Sequence, residues 1–129
     1  DSFCKGFYRN MNRDKEYNFK VTRSTGIFSS ENRQYLDSVV NFCNVHHCRL
    51  IFTISPAYKD AQKEVINKDQ IIEQYRNIAA AKGIPLFNYS EDSEIMNDKG
   101  YFEDNYHLLY AGARIYTQKI ARDFNNITK

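Results

Sequence analysis

The sequence predicts an α/β fold with a parallel sheet. The order of the apolar patterns along the chain supports this prediction. Apolar residues at helical spacing alternate along the chain with short runs rich in β-branched and aromatic residues, and the resulting order is helix, strand, helix, strand, helix. Such an alternation is typical of parallel strands joined by helical crossovers. With 129 residues, of which 42% are hydrophobic and 26% charged, the chain has the length and composition of one globular domain.

The first predicted helix begins at Ser29 or Ser30, because a serine hydroxyl can cap a helix N-terminus. The apolar stripe of this helix covers about four turns and consists of Leu36, Val39, Val40 and Cys43. The apolar run 50–54 follows and predicts a short strand. Because this run shows no alternation, we expect both faces of the strand to be covered. Residues 57–69 are polar and predict a surface excursion.

The second predicted helix ends at Gly83, a residue type that suits a helix C-terminus. Its apolar stripe consists of Ile71, Ile72, Tyr75, Ile78 and Ala79. The run 84–87 predicts a second strand, with Pro85 near its start, where a missing N–H is tolerated. A polar loop then extends from Asn88 to about Tyr106. The stripe of the C-terminal helix consists of Ala113, Tyr116, Ile120 and Phe124.

Residues 1–30 show no sustained period and predict a loop-rich lead-in. Residues 31–129 are then expected to be the C-terminal part of a larger α/β domain. The reason is the sheet, since two predicted strands are fewer than the roughly five of a typical sheet. The chain also starts without Met and without a signal peptide, so we expect either a mature product or a piece cut from a longer protein.

The charge pattern and the absence of certain motifs limit the classes of partner and cofactor that we expect. The formal charge of +2 arises from 18 basic and 16 acidic residues scattered along the chain, so nucleic acid is not an expected partner. No apolar run is long enough to span a bilayer. No glycine-rich phosphate loop is present, and no cofactor is predicted. An exposed sheet edge left by truncation would allow oligomerisation.

The candidate chemistry lies in loops that follow the predicted strands, since ligands of open α/β sheets bind beyond the carboxyl ends of the strands. Asp104 and His107 lie three residues apart in the loop before the last helix. A carboxylate that accepts a hydrogen bond from one imidazole nitrogen fixes the tautomer and leaves the other nitrogen as a general base. Ser55 and Tyr58 follow the first strand and are predicted to contact substrate, with an ordinary turn as the alternative.

The Asp-x-x-His spacing by itself has low specificity. A chain with nine Asp and three His contains it by chance in roughly one case in five. A loop histidine bonded to a surface aspartate is therefore the alternative interpretation of Asp104 and His107. Three neighbouring aromatic residues are interpreted as core residues, with aromatic cover over the histidine as the alternative; they are Tyr101, Tyr106 and Tyr110.

The segment 104–113 resembles the last conserved block of the SGNH (GDSL-like) hydrolases, in which Asp-x-x-His-Leu precedes a Gly-Ala pair at the start of the terminal helix. Gly112 and Ala113 occupy the positions of that pair, and Gly112 would let the helix approach its neighbour closely. The strand that leads into Ser55 also resembles the penultimate core strand of the envelope-associated branches of the family. The resemblance covers about residues 31–126, and Leu109 departs from it, because a capping Asn or Ser is usual there.

The resemblance implies a three-layer α/β/α, flavodoxin-like domain of the SGNH type. It implies that His107 is the general base and that Asp104 orients it, for ester hydrolysis or acyl transfer on a small-molecule or carbohydrate ester. It also favours a cell-envelope or extracytoplasmic location. The serine nucleophile and the oxyanion donors are assigned to no residue, because Ser2 follows no strand, so the chain alone is expected to be inactive. A non-catalytic SGNH-like module that binds glycan or protein is the alternative function.

The sequence also allows a metal site and a different fold assignment. Cys43, His46, His47 and Cys48 contain metal-ligand residue types, but Cys43 continues the apolar stripe of its helix and no second ligand pair lies at metal spacing, so no metal is predicted. The three cysteines are an odd number and do not form a disulfide framework. A stand-alone flavodoxin-like fold with a structural Asp–His contact is the other alternative.

Overall fold

The computed structural model of the protein describes residues 19–127. The expectations for residues 1–18, which include Ser2, Cys4 and most of the predicted lead-in, lie outside the described residues. The helices are α1 (Ser30–Val45), α2 (Lys68–Ala81), α3 (Ser93–Met96) and α4 (Tyr110–Ile127). The strands are β1 (Phe52–Ile54) and β2 (Leu86–Asn88), and two 3₁₀ turns cover Lys59–Lys63 and Lys99–Tyr101. None of the described helices is both long and apolar enough to cross a membrane.

The chain divides into two compact units. The first, which we call the sheet unit, comprises Arg23–Ile54 and Val65–Asn88 and contains α1, β1, α2 and β2. The second, which we call the loop unit, comprises, of the described residues, Ser55–Glu64, 89–127 and 19–22, and it contains α3 and α4. The predicted α/β alternation is confirmed at this level.

Local signals account for both helices of the sheet unit. The Ser29 hydroxyl accepts a hydrogen bond from the Asn32 backbone N–H at 3.1 Å, which confirms the predicted cap of α1. At the end of α2, Gly83 adopts a φ of +64°. The N–H of Ile84 then donates to the Ala79 carbonyl at 2.9 Å, and the helix ends in a Schellman motif, as the glycine predicted.

The sheet of the described residues consists of β1 and β2, which pair in parallel with Phe52 opposite Leu86. Helix α2 lies between them in the chain, so the predicted crossover connection is confirmed. The expectation that both faces of β1 are covered is wrong for the described residues, because Thr53 is exposed. A short apolar run does not distinguish a doubly covered strand from one that is covered on a single face.

The loop unit has its own aromatic core. Tyr58, Ile95 and Phe102 are its buried centre, and the rings of Tyr58 and Phe102 lie 5.8 Å apart. Partly buried side chains that pack around this centre are Phe19, Tyr101, Leu108, Ile115 and Tyr116. The core therefore joins the segment after β1 to the residues that immediately flank Asp104 and His107.

Residues 57–69 are not the surface excursion that their polarity predicted. Within the loop unit, Tyr58, Ala61 and Glu64 are buried at a helix-like spacing of three residues. The 3₁₀ turn Lys59–Lys63 produces this spacing, because residues three apart lie on the same side of such a turn. This burial brings a carboxylate, Glu64, into the interior of the loop unit.

Helix α4 starts at Tyr110, so Leu109 takes the cap position and offers no side-chain acceptor there. Its first turn lies close against the preceding 3₁₀ turn. A Cβ atom added at Gly112 would lie 2.7 Å from the Cβ of Tyr101 and 2.8 Å from its carbonyl oxygen. The close approach predicted for Gly112 is confirmed, and glycine is the residue that permits it.

Candidate active site

The Asp-His loop, which we define as residues 103–107, projects from the core of the loop unit. An antiparallel bridge between Phe102 and Leu108 closes its base. Immediately inside this bridge, the Glu103 N–H donates to the His107 carbonyl at 2.8 Å. Because Phe102 is fully buried and Leu108 packs against the same core, packing holds both ends of the loop in place.

Asp104 organises this loop through three groups. One carboxylate oxygen, Oδ1, accepts hydrogen bonds from the backbone N–H groups of Tyr106 and His107, both at 2.8 Å. The His107 Nδ1 atom lies 2.8 Å from Oδ2 and 2.9 Å from Oδ1. Aspartate favours this type of turn, because its short side chain reaches the backbone two and three residues ahead. The predicted contact between Asp104 and His107 is therefore confirmed.

The protonation of the pair follows from the environment of Asp104. Partial burial would by itself raise the pKa of the Asp104 carboxyl, but the hydrogen bonds from the Tyr106 and His107 N–H groups and from the imidazole outweigh it and lower the pKa. An ionised carboxylate only accepts hydrogen bonds, so the proton of neutral His107 belongs on Nδ1. Nε2 then carries the lone pair that a general base requires.

The His107 ring is open to solvent. Its side chain is 75% exposed, and no described residue of 19–127 forms a hydrogen bond with Nε2. The backbone N–H and Nδ1 are both directed to Asp104, so the loop fixes one side of the ring and presents the other. Chemically, such an imidazole can take a proton from a nucleophile that approaches from solvent.

Glu64 anchors the Asp-His loop from below, and sequence reasoning missed it. Its two carboxylate oxygens accept short hydrogen bonds from the Asn105 amide and the Tyr106 hydroxyl. Glu64 and Asn105 are only 8% and 6% exposed. The spacing of Tyr58, Ala61 and Glu64 indicates a buried face, but no local signal identifies a partner 41 residues away.

The hydrogen bond to Glu64 affects the pKa of the Tyr106 phenol. Burial of the hydroxyl and its hydrogen bond to the Glu64 carboxylate raise the pKa of Tyr106 to about 12. The rest of the side chain is accessible, so that the residue as a whole is 47% exposed. Tyr106 therefore has a held hydroxyl at one end and an open ring face.

The other predicted site residues occupy different environments. Ser55 is exposed. Tyr58 is a core residue whose ring packs edge-on against Phe19 at 5.3 Å, and its backbone N–H donates to the Asn105 carbonyl at 2.9 Å. Packing accounts for the Tyr58 side chain, and the substrate contact predicted for Ser55 and Tyr58 stays a prediction.

The three tyrosines around the pair are not all core residues. Tyr101 packs against the core of the loop unit, as predicted. For Tyr106 and Tyr110 the core interpretation is wrong, because both are about half exposed. They flank His107 in the sequence, so two accessible aromatic rings lie on the chain segment that carries the imidazole.

The residues of the cysteine and histidine segment do not converge. Cys43 is half-buried on α1, Cys48 is exposed, and both are free thiols. His46 stacks on Phe42 with ring centroids 4.2 Å apart. Within residues 19–127, no three His, Cys, Asp or Glu side chains form a group that could hold a metal ion.

The chain was compared with known proteins. No protein-family model, no curated protein and no solved structure matches it significantly. The described residues define an α/β chain whose Asp-His loop presents an oriented imidazole.

Proposed function

We propose that the chain supplies the Asp-His pair of a serine esterase or acyltransferase domain of the SGNH type. The observation that carries this proposal is the contact of Asp104 with His107 Nδ1 at 2.8 Å, with Nε2 on the exposed side of the ring. The lowered pKa of Asp104 supports it, because an ionised carboxylate is what orients and stabilises an imidazolium. The segment 104–113 adds the family resemblance.

We also propose that the fold belongs to a three-layer α/β/α, flavodoxin-like domain. The parallel pairing of β1 with β2 and the connecting helix α2 support this assignment, because parallel sheets are usually covered by helices on both faces. The close approach of α4 at Gly112 supports the correspondence with the terminal helix of that family. Further strands of the proposed sheet are assigned to no described residue.

The proposed reaction has an acylation and a deacylation half, and His107 takes up and returns one proton in each. A serine oxygen attacks the ester carbonyl carbon, and His107 Nε2 takes the serine proton while Asp104 stabilises the imidazolium. The tetrahedral intermediate then collapses, the bond to the alcohol oxygen breaks, and His107 returns the proton to that alcohol. Water or an acceptor hydroxyl attacks the acyl-serine by the same route and regenerates the free serine. The serine and its oxyanion donors are assigned to no residue of this chain.

An acylated carbohydrate is the substrate class that we propose, with a cell-envelope or extracytoplasmic location. The family resemblance supports both. The accessible rings of Tyr106 and Tyr110 support a carbohydrate, because an exposed aromatic face offers flat apolar area beside polar groups. Both residues lie within three positions of His107.

The test is hydrolysis of p-nitrophenyl acetate by the intact protein and by two histidine variants. His107→Ala should lower kcat/KM by about 10³-fold or more, because the general base is lost. His46→Ala is the matched control, since His46 is also exposed but contacts no carboxylate, and it should keep the wild-type rate. Equal rates for His107→Ala and wild type would remove His107 from catalysis.

A fluorophosphonate probe extends this test to the unassigned serine nucleophile. It should label one serine of the intact protein, and peptide mapping then identifies that serine. Labelling should fall strongly in His107→Ala, because the probe reacts with a serine that a base has activated. Labelling that does not depend on His107 would contradict the proposed role.

A non-catalytic module that binds glycan is the second candidate. The observation that favours it is the exposure of Tyr106 and Tyr110, which would suit a binding face without any chemistry. This function predicts no fluorophosphonate labelling, together with calorimetric binding of an oligosaccharide that Tyr110→Ala weakens. Binding that survives Tyr110→Ala would contradict the use of this face.

A further inference from the structure

We propose that Glu64 is a positioning residue that holds the Asp104–His107 pair in its reactive arrangement. It acts through Asn105 and Tyr106, the two residues that lie between the members of the pair. The positional part of this inference is independent of the reaction, and the catalytic part rests on the proposed function. Glu64 itself lies in the segment after β1, 40 residues before Asp104.

The first step of the argument is the bonding of the carboxylate. Each Glu64 oxygen accepts a hydrogen bond from a different residue of the Asp-His loop, Oε1 from Asn105 and Oε2 from Tyr106. The Tyr58 N–H donates to the Asn105 carbonyl at 2.9 Å, so the same segment also holds the loop backbone. Three contacts between distant parts of the chain thus converge on two adjacent loop residues.

The second step is the transmission from Glu64 to the pair. Tyr106 is bound at both ends, by its hydroxyl to Glu64 and by its N–H to Asp104 Oδ1 at 2.8 Å. The same Oδ1 accepts the His107 N–H at 2.8 Å. Movement of Tyr106 therefore displaces a donor from the oxygen that orients the imidazole.

The third step concerns the residue type. Burial of a carboxylate is unfavourable unless hydrogen bonds compensate for the lost hydration, and an apolar side chain of similar size would fill the space without this cost. What the carboxylate adds is two acceptors aimed at neighbouring donors. This property serves the geometry of the loop rather than the packing of the core.

The experiment uses the intact protein and four variants. Glu64→Leu removes both acceptors, and Tyr106→Phe removes one donor at a half-exposed residue and so should fold even if Glu64→Leu does not. Glu64→Gln is the conservative rescue, because the buried Asn105 Oδ1 has no partner among the described residues and can accept from the new amide after a flip. Tyr89→Phe is the matched control, since it removes the bond from a buried tyrosine to Asp123 at 2.7 Å in the same unit.

The readouts are the tautomer of His107, from nitrogen NMR of the imidazole ring, and kcat and KM for p-nitrophenyl acetate. Tyr106→Phe and Glu64→Leu should raise the fraction of the Nε2–H tautomer roughly fivefold, as expected for the loss of one hydrogen bond. They should lower kcat roughly tenfold with little change in KM, because the base is misplaced. Glu64→Gln and Tyr89→Phe should retain the wild-type tautomer and kcat.

Two results would overturn the inference. One is a wild-type tautomer in Tyr106→Phe, and the other is an equal change in Tyr89→Phe, which would assign the effect to general destabilisation. Other results would contradict the proposed esterase function and leave the positioning role of Glu64 intact. A protein without esterase activity whose tautomer still shifts in Tyr106→Phe would retain the positioning role and lose the catalytic one. Activity that depends on His107 with no effect of Tyr106→Phe would be the reverse case.

Discussion

Two segments of the chain carry histidines, and they differ in what supports them. The Asp-His loop has a carboxylate on the imidazole, a closed base and the buried Glu64 beneath it. The segment 43–48 covers the C-terminal end of α1 and the turn that follows it, where the φ of His47 is +54° and the His46 ring stacks on Phe42. By composition, the second segment is the more conspicuous candidate for chemistry. The segment with more reactive side chains is thus the one whose imidazoles have fewer groups to orient them.

The largest effect should come from removing the charge that orients His107. Asp104→Asn keeps an oxygen that can accept the two backbone N–H bonds, so the loop should keep its shape. The imidazole loses its anionic partner, and kcat/KM in the intact protein should fall by about 10³–10⁴-fold.

Asp98→Asn is the matched control for this prediction. Asp98 caps the Gly100 N–H at 2.7 Å with the same type of turn in the same unit, but it contacts no histidine. It should retain the wild-type kcat/KM. Similar losses of kcat/KM in the two variants would assign the effect to the aspartate turns rather than to the Asp-His pair. The orienting carboxylate would then not distinguish His107 from the histidines of segment 43–48.

The next effect is on stability, at the base of the Asp-His loop. Gly112→Ala puts a Cβ atom within 2.8 Å of the Tyr101 backbone, so we expect a loss of about 1–3 kcal/mol of unfolding free energy, measured by urea denaturation. The change should also lower kcat/KM, since Tyr101 precedes the loop. Added stability, as at an exposed helical glycine, would contradict the close packing of α4.

The acid stability of the protein should depend on Asp104. Because its pKa is lowered in the folded protein, its contribution is present above the ordinary pKa of about 4 and is lost as the pH falls through the folded-state value. Unfolding free energies between about pH 5 and pH 2 should therefore fall less steeply in Asp104→Asn than in wild type. Parallel curves would show that the carboxylate is not stabilised in the fold.

The smallest expected effect is a shift in the titration of Tyr106, whose hydroxyl binds Glu64 beneath the Asp-His loop. With its pKa raised to about 12, Tyr106 should stay mostly protonated at about pH 11, where an ordinary tyrosine is mostly ionised. Carbon NMR of the phenol ring measures this directly, with N-acetyltyrosine amide as the reference. Ionisation of Tyr106 together with the reference would contradict its bond to Glu64.

What the sequence predicted correctly rests on local signals. Ser29 caps α1 and Gly83 ends α2, because each acts on backbone groups within a few residues. The contact between Asp104 and His107 spans three residues and is local in the same sense. Parallel pairing followed from the order of the elements.

What the sequence did not predict depends on distant parts of the chain. Glu64 meets Asn105 across 41 residues, and a glutamate in a polar stretch ordinarily indicates exposure. Tyr58 is a core residue although it follows a strand end, and Tyr106 is half exposed although it was predicted to be a core residue. Periodicity reports which face of an element is apolar, but not which partner the tertiary fold brings to it.

The tautomer of His107 in the wild-type protein at neutral pH tests the central claim most directly. Long-range nitrogen–proton NMR distinguishes a ring protonated at Nδ1 from one protonated at Nε2, and His46 and His47 serve as internal references. We expect His107 to be mainly the Nδ1–H form, unlike the two references. A His107 ring that is mainly the Nε2–H form, as in an unpaired histidine, would contradict the account.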